Sequence, residues 1–135
     1  MKFLIVEDDF TARKLLQVYL TDYGDCFVAA NGNEAVDAFT DALDKNEPYD
    51  MICLDIMMTE ANGHTALRII REMENKRQIA EADRVKVIMT TALSDTKHVM
   101  GAYNTGCEAY IVKPVRKEHL LKEMSKLGLV ELSAG

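Results

Sequence analysis

Four groups of residues in this chain could do chemistry together: the acidic triplet Glu7-Asp8-Asp9, the acid Asp55, the hydroxyl pair Thr90-Thr91 and the step Lys113-Pro114. Carboxylates drawn into one crevice repel each other unless a cation sits among them, and oxygen-only ligands select a hard ion such as Mg²⁺. Lys113 adds a movable positive charge. The Thr91 hydroxyl adds a donor that can follow an incoming anion. Each piece also has a plainer reading: an acidic pair after a strand often caps the next helix, a task open here to Asp9 or Thr11, and Lys-Pro can be a simple turn. It is the combination, in this order along the chain, that carries the signal.

Five short apolar runs must place these groups: Phe3 to Val6, Cys26 to Ala30, Met51 to Leu54, Val85 to Met89 and Ala109 to Val112. Their nearly continuous apolar character is that of strands covered on both faces, as in a parallel sheet. Between them run stripes of helical period. The first is Ala12, Leu15, Leu16, Tyr19 and Leu20; the second Ala35, Ala38, Phe39, Ala42 and Leu43; the third Ala66, Ile69, Ile70 and Met73. A shorter fourth surrounds Val99, Met100 and Tyr103, and the last is Leu120, Leu121, Met124 and Leu127. Alternating strand and helix with right-handed crossovers gives an open α/β sheet with helices on both faces, whose working crevice lies at the C-terminal strand ends. The candidate residues fall at the ends of the first, third, fourth and fifth strands. Glu74 to Arg84 is expected to hold a helix extension and a turn. Gly128 is expected to stop the last helix, and the tail beyond it either packs back or frays.

With 135 residues, 48% hydrophobic and 28% charged, the chain fits one globular domain, residues 1–127, with a short tail, 128–135. A net charge of -6 and no block of Lys/Arg argue against binding a nucleic-acid backbone. Cys26, Cys53 and Cys107 are odd in number and set in apolar runs, which predicts buried reduced thiols and a cytoplasmic setting. The N-terminus shows neither a signal peptide nor a membrane span. His64, His98 and His119 are scattered without metal-ligand spacing, and the eight methionines read as adaptable packing.

Taken together, Val6-Glu7-Asp8-Asp9 with Arg13, Leu54-Asp55-Ile56-Met57-Met58, Gly63, Thr91-Ala92 and Tyr110-Ile111-Val112-Lys113-Pro114 resemble the response-regulator receiver family of two-component signalling, over essentially the whole chain. The resemblance, nearest to single-domain chemotaxis-type regulators, implies a flavodoxin-like doubly wound sheet of five parallel strands in the order 2-1-3-4-5. It implies that Asp55 is the phosphoacceptor, Asp8 a direct Mg²⁺ ligand, Glu7 a ligand or an acceptor through water, and the Met57 carbonyl a further ligand. Lys113 would pair with Asp55 and then with phosphoryl oxygens. Thr91 would turn inward to those oxygens and Tyr110 would swing toward burial, altering the face built from the fourth helix, fifth strand and fifth helix. Asp9 would be a neighbour of the site.

The implied protein is a stand-alone phosphoacceptor switch, catalysing only its own phosphorylation and dephosphorylation. Its donor would be a sensor histidine kinase or a histidine phosphotransfer protein. Its output would be a downstream protein target, with homodimerisation on phosphorylation as one route and with no direct DNA binding and no membrane insertion. Two positions depart from the family pattern, Thr59 in place of a common proline and Leu93 in place of a polar residue. With Met57, Leu93 would flank the path of an attacking water that neither side chain can orient, so slow self-dephosphorylation is expected. The alternative is a receiver-like binding module that works without phosphorylation. A flavin carrier is disfavoured because three acids stand where a phosphate cradle wants Gly, Ser and Thr. An aspartyl-phosphate hydrolase is disfavoured because Met57 stands where a second Asp is usual.

Overall fold

The computed structural model describes residues 1–58, 62–92 and 106–132. Thr59, Leu93, His98 and the expected fourth helix lie outside the described residues. Five strands, β1 (Lys2–Val6), β2 (Asp25–Ala29), β3 (Met51–Asp55), β4 (Lys86–Thr91) and β5 (Ala109–Val112), form one parallel sheet in the order β2-β1-β3-β4-β5. Helices α1 (Phe10–Leu20), α2 (Gly32–Asp44), α3 (Gly63–Lys76) and a C-terminal helix (Lys117–Lys126) cover it. This is the doubly wound sheet expected from the apolar runs. β4 reaches beyond its apolar run to include Thr90 and Thr91, because both hydroxyl residues are buried in the sheet.

Alternation along the strands divides the core in two. Leu4, Ile52, Leu54, Val87 and Met89 face Phe39 of α2 and Leu67 and Ile70 of α3. Phe3, Ile5, Cys53 and Ile88 face Leu16 and Leu20 of α1 and Leu120 and Met124 of the C-terminal helix. β1 and β3, central and covered on both sides, are almost wholly buried.

β2 departs from the expectation of cover on both faces. It is an edge strand, and Phe27 and Val28 stay exposed. Instead of a helix, Phe27 meets the ring of Tyr49 edge-on at 6.0 Å, and the Lys2 ammonium lies over both rings at 5.2 and 4.5 Å.

The stretch after α3 resolves as expected into a helix end at Lys76, a left-handed residue at Gln78 and a 3₁₀ turn over Glu81–Asp83. The C-terminal helix ends in a Schellman cap: Gly128 adopts φ 78°, its amide donates to Ser125, and the Leu129 amide donates to Met124. Leu129 and Val130 then pack back on the core, while Leu132 is exposed.

Candidate phosphoacceptor and metal site

Strand register assembles the crevice. Val6 pairs with Leu54, Asp55 with Thr90 and Thr91 with Val112, so the residues at and just beyond four strand ends come level with one another. The acidic triplet divides as the chain leaves β1. Glu7 keeps one more ladder bond, its amide donating to Ala29 at 3.1 Å, and its side chain is 1% exposed. Asp8 is exposed. Asp9 caps α1, its carboxylate accepting the Ala12 amide at 2.8 Å, and its own amide donates to Glu7 Oε2 at 3.2 Å. Arg13, one turn into α1, reaches back to the Glu7 carbonyl at 3.2 Å.

Asp55 ends β3 and is 3% exposed, with Oδ1 accepting the Met57 amide at 3.2 Å. The chain behind it is held by Ile56, whose amide donates to Thr90 at 2.9 Å and whose carbonyl accepts the Gly63 amide at 2.9 Å. A glycine is required there: a Cβ on Gly63 would collide with the Asp55 carbonyl and come within 3.0 Å of Ile56 Cα. The first turn of α3 therefore sits directly on the backbone at the end of β3.

One ligand oxygen each from Glu7, Asp8 and Asp55 lies within 4.8 Å of the others, the one cluster of metal-ligating side chains found among the described residues. Lys113 enters from the end of β5, where its amide donates to the Thr91 carbonyl at 2.7 Å and a cis peptide bond joins it to Pro114. Its ammonium lies 2.6 Å from Glu7 Oε1 and 3.2 Å from Asp55 Oδ2. Thr91 is fully buried and its hydroxyl donates to the Ala92 carbonyl at 3.2 Å. Tyr110 is half-buried against the α2/α3 layer. A cavity of about 390 Å³ adjoins the acids, lined by Glu7, Thr11, Leu16, Thr90, Lys113 and Val115 among others.

Burial dominates the electrostatics. It pushes the Asp55 carboxyl up to about 7, the neighbouring Glu7 carboxylate pushes the same way, and Lys113 opposes both without prevailing. For Lys113, burial pulls down, but bonds and attraction to Glu7 and Asp55 outweigh it and the ammonium is held above its usual range. The side chains of the crevice thus carry excess negative charge that one ammonium does not offset.

A family model described as the response regulator receiver domain matches residues 3–125. The chain belongs to that family. This receiver is 33% identical over 134 residues to hybrid signal transduction histidine kinase B of Dictyostelium discoideum, covering 95% of the chain and 7% of the kinase. The receiver spans from 7% to 54% of the length of the first curated relatives it matches.

Among solved structures, it superposes with a TM-score of 0.80 and 26% identity on the receiver domain of Ssk1 from Saccharomyces cerevisiae, crystallised with the histidine phosphotransfer protein Ypd1, covering 95% of this chain and 88% of that one. It also matches a chain of the CheX-CheY-BeF3-Mg²⁺ complex of Borrelia burgdorferi, at TM-score 0.76 and 29% identity, covering 94% and 89%. The family expectation and the sheet order 2-1-3-4-5 both hold, and the chain is a receiver domain of two-component signalling.

The receiver's three cysteines are free thiols. Cys53 and Cys107 are buried as expected, but Cys26, on edge strand β2, is only partly so. Burial pushes the Cys53 thiol up to about 12 and the Cys107 thiol to about 11. His119 stands on the surface of the C-terminal helix, 3.6 Å from Glu123. Among the described residues no helix is long and apolar enough to cross a membrane.

Sequence reasoning missed a second polar cluster, at the opposite ends of the strands. Arg71 of α3 pairs with the buried Glu74 at 2.6 Å and with Glu108 at 2.9 Å. The available signal was Glu74 itself, an acid four residues beyond Ile70 on the buried stripe.

Proposed function

We propose that this receiver is a phosphorylation switch in which Asp55 accepts a phosphoryl group, with Mg²⁺, from a phosphohistidine on a sensor kinase or histidine phosphotransfer protein. The observation that carries the reading is the convergence of Glu7, Asp8 and Asp55 within 4.8 Å beside the Lys113 ammonium. All three donors are hard carboxylate oxygens, which fits Mg²⁺, and Glu7, Asp8, Asp55 and the Met57 backbone carbonyl are the groups that would hold it. When bound, the ion offsets the repulsion between carboxylate and incoming phosphoryl oxygens.

The chain's own residues do the rest by position and charge. The Met57 amide fixes one Asp55 oxygen and Lys113 faces the other, so the carboxylate is held rather than free to rotate. An Asp55 oxygen forms its bond to phosphorus as the bond from phosphorus to the donor imidazole nitrogen breaks, leaving an acyl phosphate. Lys113 then transfers its contact from Asp55 to a phosphoryl oxygen, and Thr91 exchanges the Ala92 carbonyl for another. With Thr91 drawn inward, Tyr110 follows toward burial, and the surface around β5 and the C-terminal helix changes what it binds.

In this reading the protein is a signalling switch that transforms only itself. It works in the cytoplasm through protein partners, and dimerisation of the phosphorylated form is one outlet for the same surface.

Treatment with a small phosphodonor, with and without Mg²⁺, followed by intact-mass measurement tests the reading. The parent and Cys53→Ala should gain one phosphoryl mass only with Mg²⁺, and Asp55→Asn should gain none. A parent that stays unmodified with Mg²⁺ present favours instead a binding module that works without phosphorylation.

A further inference from the structure

β5 is an edge strand of four residues, hydrogen-bonded to β4 alone. Lys113 follows it immediately, so the place of the ammonium depends on how β5 is set along β4. At the site end, the last rung is the Lys113 amide on the Thr91 carbonyl at 2.7 Å. At the far end, the first rung is the Glu108 amide on the Val87 carbonyl at 2.9 Å.

That far end is locked by Arg71. Its Nε donates to the Gly106 carbonyl at 3.1 Å, Nη1 to Glu74 at 2.6 Å and the Val85 carbonyl at 3.0 Å, and Nη2 to both Glu108 oxygens at 2.9 and 3.0 Å. The two acids are themselves tied to β4, Glu74 accepting the Val85 amide at 2.9 Å and Glu108 the Val87 amide at 2.6 Å. One guanidinium thus joins α3, the start of β4 and the entry to β5. Gly106 permits it by adopting φ 99°, which keeps its carbonyl within reach.

A partly buried charged network is a weak source of stability, because desolvation offsets much of its attraction; what its fixed bond directions supply well is register. From Glu108 to Lys113 the chain is an extended strand about 16 Å long, stiff enough to carry a shift from one end to the other. We infer that Arg71 is a positioning residue for Lys113: by fixing the entry of β5 against β4 and α3, it sets the ammonium between Glu7 and Asp55 from the opposite end of the strand. This rests on the proposed phosphoryl transfer, since the ammonium's place matters to the rate only if Asp55 is the acceptor.

The test is a double-mutant cycle read by phosphoryl incorporation from a small phosphodonor with saturating Mg²⁺, on variants shown to be folded by thermal melting. Arg71→Met should slow incorporation on the order of tenfold, the scale of a sub-ångström misplacement of a reacting group, a full ~1 Å costing about 100-fold. In a Lys113→Met background the same substitution should change the residual rate less than about twofold, because the group it positions is gone.

If Arg71→Met does not fold, Glu108→Gln, which loses the two-pronged contact but keeps size and shape, replaces it in both backgrounds, with a smaller slowing. Equal slowing with and without Lys113, or a parental rate in the single variant that folds, overturns the inference. A parent that takes up no phosphoryl group at all overturns the proposed function instead.

Discussion

Lys113 stands closer to Glu7 than to Asp55: its ammonium is 2.6 Å from the Glu7 carboxylate and 3.2 Å from that of Asp55. The lysine is therefore held chiefly by Glu7, which leaves Asp55 only partly compensated.

The first consequence concerns pH. A carboxyl whose folded pKa is raised above its unfolded value binds its proton more tightly in the native state, so its contribution to stability falls as pH rises between the two. For Asp55 that window runs from the ordinary 3.8 to about 7. Lys113, held above its usual value, loses its contribution only in strong alkali. In EDTA, the melting temperature should therefore drop on going from pH 5.5 to 8, and Mg²⁺ should raise it more at pH 8. Melting curves that show the opposite slope would contradict this assignment of charge.

Removing one of the two buried carboxylates should trade binding for stability. Glu7→Gln relieves the repulsion on Asp55 and leaves Lys113 to pair with it. Metal-free protein should melt about 2–5 °C higher at pH 8, while Mg²⁺ affinity, followed by titration of intrinsic tyrosine fluorescence, should fall roughly tenfold or more. A variant that melts lower without metal would show that the Glu7–Lys113 pair outweighs the repulsion.

Position 63 should tolerate no side chain. The Cβ of Gly63→Ala meets backbone of Asp55 and Ile56, not the end of a flexible side chain, so α3 or β3 must move. Chemical denaturation should register a loss of about 1–3 kcal/mol, and phosphoryl incorporation should slow because the displaced segment carries Asp55 and the Met57 amide. Parental stability and rate together would mean that the contact relaxes without cost.

Neighbouring acids should fail in different ways. Asp9→Ala removes the N-cap of α1 and should cost about 1 kcal/mol with phosphorylation nearly intact. Asp8→Ala, at an exposed position, should leave stability within about 0.5 kcal/mol and abolish the Mg²⁺ requirement along with the activity it supports. Comparing denaturation midpoints with incorporation rates for the pair separates the two roles.

Much of this site is legible in the sequence, because its members fall where apolar runs stop. Asp55, Thr91 and Lys113 each end or follow a strand, and a parallel sheet brings such ends to one edge. What could not be read was choice of partner. Glu7 and Lys113 lie 106 positions apart, and only the sheet order makes them neighbours. The exposure of Phe27 and Val28 was hidden for a related reason: hydrophobic pattern reports what a strand is made of, whereas cover depends on whether it is central or at an edge. Arg71, Glu74 and Glu108 escaped because charges that satisfy one another in pairs leave no period in the sequence.

The acidic triplet carries one more implication, for how this chain can vary. Glu7 is buried in the crevice, Asp8 stands exposed with one oxygen still within 4.8 Å of Glu7 and Asp55, and Asp9 caps the first turn of α1, so three side chains of like charge occupy three different settings fixed by where each falls along the backbone. Inserting a single residue directly after Val6 would move each acid one place along from the end of β1, although composition and charge would scarcely change. The connection from β1 to α1 is thus constrained in length more tightly than in content.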